Sequence, residues 1–200
     1  MDDDTCAPNH HAGHRPFTGP FGFVAMLMMI AGREPDAALA ARLSGLRPGE
    51  TVVDVGCGPG TAARRAARLG ATVTGVDPAR IMRRTAQLMT RKAAVQWIDG
   101  AAEALPLPDD TANVVWSIAT VHHWADVDAG LREVRRILRP GGRFVAIERH
   151  TRPGARGLAG HGWTDAQAEA FADRARAAGF ADVRVEHATG RRPALAVVAQ

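Results

Sequence analysis

The chain has 200 residues, 46% of them apolar, and a formal charge of +4 carried by arginine except at Lys92. That length suits one domain with a substantial core, and the apolar share excludes wholesale disorder. The positive charge is scattered over predicted helices, as at Arg80, Arg83, Arg84 and Arg91, without the clustered stripe and interleaved aromatics of a nucleic-acid binder, so no nucleic-acid partner is expected.

From the N-terminus, residues 1–16 read as a mobile polar tail. His10, His11 and His14 lie in it without cysteines or a fixed scaffold, and no metal site is assigned to them. Cys6 in the tail and Cys57 in a glycine-rich loop form no disulfide framework, which points to a reducing, cytoplasmic compartment. The apolar run 21–31 is too short to span a bilayer and follows Asp2-Asp3-Asp4 in place of a basic leader, so neither membrane insertion nor a signal peptide is expected. Apolar nearly all round, it reads as a buried helix that either packs on a sheet edge or covers the site, where its methionines could adapt to an apolar ligand. A second helix is predicted over 36–46, before Pro48-Gly49. Residues 17–47 are thus a helical cap on a single domain spanning 17–200.

The next stretch joins a buried-strand pattern to a glycine turn and a helix. Val52, Val53 and Val55 suit a strand covered on both faces. Gly56, Gly58 and Gly60 let a ligand approach without meeting a Cβ, and the helix formers of 61–69 end at Gly70. The spacing is G-x-G-x-G, one position short of the dinucleotide fingerprint, and no Gly-Lys-Ser/Thr follows, which weakens both NAD and a nucleoside triphosphate. A second strand, 71–77, ends at Asp77, close to the spacing of a carboxylate that takes ribose hydroxyls. Asp77 would equally cap the next predicted helix, 79–90, with Pro78 at its first position.

Further strands are predicted over 94–98 and 111–120, and a helix over 126–138. A turn at Pro140-Gly141-Gly142 precedes a strand over 143–148; a helix over 164–178, closed by Gly179, and strands over 182–187 and 194–199 complete the chain. Seven strands alternating with helices imply an α/β fold with a doubly wound sheet that binds ligands at the carboxyl ends of its strands.

Four ordered motifs carry a family resemblance. They are Val52-Val53-Asp54-Val55-Gly56-Cys57-Gly58-Pro59-Gly60-Thr61, the strand-end Asp77, Gly100-Ala101-Ala102-Glu103-Ala104-Leu105-Pro106-Leu107, and Leu131-Arg132-Glu133-Val134-Arg135-Arg136-Ile137-Leu138-Arg139-Pro140-Gly141-Gly142. Together they resemble class I S-adenosylmethionine-dependent methyltransferases, nearest the ubiquinone/menaquinone-biosynthesis-like small-molecule branch. The resemblance implies a three-layer αβα sandwich with strand order 3-2-1-4-5-7-6 and strand seven antiparallel. It implies S-adenosyl-L-methionine as cofactor and a small-molecule acceptor. Cofactor contacts would come from Asp54, Gly56, Cys57, Gly58, Gly60, Asp77, Pro78, Ala101, Ala102, Glu103 and Ser117. Where the family commonly has Gly-Asp-Ala-Glu this chain has Ala101, so adenine recognition would fall to the backbone amide of Ala102 or to Asp99.

Methyl transfer from a sulfonium requires alignment first and a base only if the acceptor must lose a proton. Base candidates are His122 and His123 beyond the fourth strand, with Glu148 and His150 at the end of the fifth. His122 and His123 are adjacent and not spaced by a helical turn, so no metal is assigned to them. Beside a methyltransferase, an NAD-dependent oxidoreductase and a catalytically silent cofactor-binding protein stand as alternatives.

Overall fold

In the computed structural model the described residues are 7–9, 34–90, 95–155, 157–190 and 192–200. Twelve elements follow in order: α1 (Glu34–Leu43), β1 (Thr51–Val55), α2 (Thr61–Arg68), β2 (Thr72–Val76), α3 (Arg80–Met89), β3 (Val95–Ile98), β4 (Ala112–Ile118), α4 (Val127–Ile137), β5 (Leu138–Arg149), α5 (Asp165–Ala177), β6 (Val183–Ala188) and β7 (Ala194–Ala199). The strands form one sheet in the order β3-β2-β1-β4-β5-β7-β6. β1 to β5 run parallel, and β7 is antiparallel to both β5 and β6.

The pleat sends alternate residues into two cores. Val53, Val55 and Val115 face the side covered by α4 and α5, where Phe144, Trp163, Phe171 and Phe180 build an aromatic layer. Val52, Val114 and Trp116 face the side covered by α1 and α2. On α5, Ala168, Phe171, Ala172 and Ala175 are buried at the 3, 4 and 7 spacing of one helical face. α1, the described part of the predicted cap, packs on the sheet beside α2: the Trp116 indole donates to Ser44 Oγ at 3.3 Å, just past its C-terminus. The apolar run 21–31 lies outside the described residues, as do His10, His11 and His14.

Several boundaries differ from the sequence expectation for local reasons. Pro140-Gly141-Gly142 does not separate α4 from the fifth strand; β5 begins at Leu138, opposite Ala112, and the triplet is absorbed in a register shift before Arg143 meets Val114. Asp126 and Thr164 lie outside their helices as N-caps, accepting from the amides of Ala129 and Gln167 at 2.9 and 3.3 Å. α3 starts at Arg80, so Pro78 is not its first residue, because Ala79 stays extended while its amide donates to Asp77. The first described helix runs 34–43 and not 36–46. Within the stretch expected as a mobile tail, residues 7–9 are docked: the carbonyls of Pro8 and Ala7 accept from Trp163 Nε1 and Gln167 Nε2 at 2.9 and 3.2 Å, and Asn9 Nδ2 donates to the Trp124 carbonyl at 3.1 Å. Among the described residues, no helix is long and apolar enough to cross a membrane.

Candidate active site

The turn after β1 is folded back over the end of β2, where the amides of Gly56 and Cys57 both donate to the Val76 carbonyl, at 2.8 and 3.0 Å. Gly60 enters α2 in the left-handed region, at φ 80°. A Cβ there would be strained and would collide with the Trp97 ring of β3. Glycine has no side chain with which to cap a helix, and the cap comes from β1: Asp54 Oδ2 accepts the amide of Ala63 at 3.1 Å.

Asp77, the residue after β2, braces the same loop. Its Oδ2 accepts the Gly58 amide and its Oδ1 the Ala79 amide, each at 2.8 Å. The two alternatives raised by the sequence are therefore compatible: a carboxylate has about four acceptor sites, and these bonds use two.

Both carboxyls are nearly dry, Asp54 at 2% exposure and Asp77 at 7%. Burial pushes Asp54 from its ordinary 3.8 up to about 7; the Ala63 amide opposes the rise, the charge of Asp77 adds to it and Arg64 opposes it. Burial raises Asp77 as well, against the amides of Ala79 and Gly58 and the charge of Arg83. Burial also lifts the Cys57 thiol well above its usual range, so it stays protonated near neutrality. A dinucleotide pyrophosphate would need the helix N-terminus that the Asp54 carboxylate already occupies.

The remaining predicted cofactor residues divide. Ser117, at the end of β4 opposite Val55, is fully buried, and its Oγ has no hydrogen-bond partner among the described residues. An orphaned hydroxyl at a ligand-binding strand end fits a polar group of a bound cofactor. Ala101 forms a short bridge with Ala104, and Ala102 is buried. Glu103 Oε1 accepts the amides of Ala125 and Asp126 at 2.6 and 3.2 Å, which braces the entry to α4. Asp99 is held in a two-pronged pair by Arg83, at 3.0 and 2.8 Å.

Beyond β4 the chain reverses sharply. Ala119 takes φ 53°, rare without glycine, and is held there by its amide on the Ile147 carbonyl at 2.6 Å. The reversal leads into a 3-10 turn, Val121–His123, that brings His122 back over β5. There His122 Nδ1 lies 2.8 Å from Glu148 Oε2, with the side chains 3% and 0% exposed. Two of the four base candidates thus form one buried pair. His150 is drawn elsewhere, with Nε2 3.3 Å from Asp165 Oδ2 and its ring beside His187. Sequence reading missed His161, whose ring centroid lies 5.3 Å from that of His122 and 5.6 Å from that of His123. Its one local signal is its place between Gly160 and Gly162.

Residues 53–146 match the methyltransferase domain family. The chain is 35% identical over 122 residues to the ubiquinone/menaquinone biosynthesis C-methyltransferase UbiE of Caulobacter vibrioides, covering 56% of this chain and 48% of that protein. It is 37% identical over 110 residues to the malonyl-[acyl-carrier protein] O-methyltransferase of Pseudescherichia vulneris, covering 55% of this chain and 43% of that protein. The chain thus spans about half the length, or less, of these curated relatives. A solved S-adenosylmethionine-dependent methyltransferase from Mesorhizobium loti superposes with a TM-score of 0.68 at 25% identity, over 85% of this chain and 99% of that one. Strand order, glycine loop and sequence likeness agree: residues 53–146 match the methyltransferase domain family, and the chain has the fold of the class I S-adenosylmethionine-dependent methyltransferases.

Proposed function

We propose that the protein transfers a methyl group from S-adenosylmethionine to a small-molecule acceptor in the crevice at the carboxyl ends of β1, β4 and β5. The observation that carries this reading is the pair of buried carboxylates, Asp54 and Asp77, around a glycine loop whose helix N-terminus is already capped. That arrangement suits a cofactor with ribose hydroxyls and net positive charge, and it disfavours NAD. The relatives support the acceptor class without fixing the acceptor, since one is named as a C-methyltransferase and the other as an O-methyltransferase. We assign the cytoplasm as its compartment, in keeping with a buried free thiol at Cys57.

When bound, S-adenosylmethionine supplies an electrophilic methyl group on a sulfonium. The chain's residues then have separate tasks. Asp77 accepts from the ribose hydroxyls with the sites its amide bonds leave over. The loop 56–60 would hold the amino-acid portion, with Asp54 bracing the start of α2 and the unpartnered Ser117 hydroxyl available to the methionine part. Ala101 offers no carboxylate to the adenine amino group, so recognition falls to the Ala102 amide while Asp99 is tied to Arg83. His122, held by Glu148, together with His123, faces the acceptor and activates it. Alignment of acceptor with methyl carbon supplies the largest share of the rate, roughly 7–11 kcal/mol in favourable cases.

Incubation with methyl-labelled cofactor and a panel of oxygen, nitrogen and carbon nucleophiles tests this reading. Labelled product should form, and His122→Asn should lower kcat while the dissociation constant of S-adenosylmethionine stays within about twofold. Cofactor binding without transfer to any acceptor would support the silent-binder alternative.

A further inference from the structure

The ends of β4 and β5 bring together three imidazoles that the sequence keeps apart. His122 and His123 sit in the 3-10 turn after β4, and His161 comes from the loop between β5 and α5. The ring centroids of His122 and His123 are 4.1 Å apart. One nitrogen from each of the three lies within 4.8 Å of the other two. We infer that His122, His123 and His161 form a binding site for a divalent first-row transition ion, zinc in the first instance.

Three features distinguish this cluster from a chance meeting of side chains. The first is the buried carboxylate of Glu148 on His122 Nδ1, at 2.8 Å. A metal-ligating histidine commonly donates its other ring nitrogen to a carboxylate in this way, which fixes the tautomer and raises ligand basicity. The second is the anchoring of the His161 loop. The Thr151 amide donates to the Trp163 carbonyl at 2.8 Å, the Trp163 amide donates to the Arg149 carbonyl at 2.9 Å, and Arg149 Nη2 donates to the Ala159 carbonyl at 2.6 Å. Gly162, at φ 141°, lets the chain pass so close to β5 that a Cβ would collide with the Arg149 carbonyl oxygen. The third is the donor set. Three neutral imidazoles suit zinc, cobalt, nickel or copper and do not suit magnesium or calcium, which take oxygen ligands. His122 is buried while His123 and His161 are only partly covered, and three histidines are the protein ligand count of a catalytic zinc site.

The site's use in catalysis rests on the proposed methyltransferase reading, and for an acceptor presenting a hydroxyl, such as an enol or a phenol, it supplies a Lewis acid. Coordination lowers the acidity barrier of such a group. The acceptor hydroxyl releases its proton to solvent on binding the ion, and an electron pair on that oxygen or on a conjugated carbon forms the bond to the methyl carbon. The carbon–sulfur bond breaks with its pair going to sulfur, leaving a neutral thioether.

Zinc binding to the full chain tests the site without any acceptor, in a background of His10→Ala, His11→Ala and His14→Ala so that the tail cannot chelate. One zinc per chain should bind, and Co2+ in its place should give the visible absorption of a tetrahedral centre. His161→Ala or His123→Ala should abolish that absorption, and Glu148→Gln should weaken zinc about 10–100-fold, while S-adenosylmethionine binding, measured on the same samples, reports that each variant is folded. His187→Ala, in the exposed cluster with His150 and Asp165, should change nothing. Absence of stoichiometric zinc, or loss of binding with His187→Ala and not with His161→Ala, would overturn the inference. Either result could accompany intact methyl transfer, which keeps failure of the metal site separate from failure of the methyltransferase reading.

Discussion

Asp54 caps α2 and at the same time lies out of water beside a second carboxyl, and the two demands leave a pH signature. Its proton is held to about pH 7 in the fold, against 3.8 ordinarily. Between those values the folded chain binds more protons than the unfolded one, so stability falls as pH rises through the window. The penalty is absent below about pH 4 and complete above about pH 7. Asp54→Asn keeps an oxygen for the Ala63 amide and removes the titration. Thermal melts from pH 4 to 8 should show the variant gaining on the wild type up to about pH 7 and level beyond it; a constant difference would show that Asp54 is not buried as described. Asp77 contributes in the same direction, and comparison with the variant isolates Asp54 from it.

At the scale of elements, the glycine loop depends on β3, from which α2, β2 and α3 separate it in the chain. Trp97 of β3 packs against Gly60, so loop geometry and the sheet edge are fixed together. Gly60→Ala should cost at least about 1–2 kcal/mol from the left-handed backbone alone, with the collision adding to it, and part of that cost should disappear in a Trp97→Leu background. Urea denaturation of the four proteins gives the coupling; equal costs in both backgrounds would contradict the contact. Reading the sequence reached most of this element order, because β-branched runs, glycine punctuation and alternation are local signals. It failed where partners are distant. Nothing near Glu103 says that its carboxylate will meet the amides of Ala125 and Asp126, nothing near His150 foretells Asp165, and Pro140-Gly141-Gly142 reads as a break until its absorption into the β4–β5 register is seen. His161 was invisible for the same reason, since only the docking of its loop on the end of β5 brings it to His122.

For the whole molecule, the sheet with both faces covered places its chemistry along one edge, the carboxyl ends of β1, β2, β4 and β5. Asp54, the glycine loop and Asp77 stand out in the sequence because they lie within a few consecutive elements, and the hydrogen bonds of Asp54 and Asp77 join those same elements. The turn after β4, the loop after β5 and the docked residues 7–9 meet from distant parts of the chain, and the sequence carries no motif for their meeting. The central claim is that the loop after β1 holds S-adenosylmethionine with Asp77 on its ribose. Calorimetric titration of the wild type and Asp77→Ala with S-adenosylmethionine, S-adenosylhomocysteine and NAD tests it most directly. Saturable binding of the first two, no heat from NAD and at least about a tenfold loss of affinity in the variant, about 1.4 kcal/mol, are expected; clear NAD binding, or an unchanged affinity in Asp77→Ala, would contradict the claim.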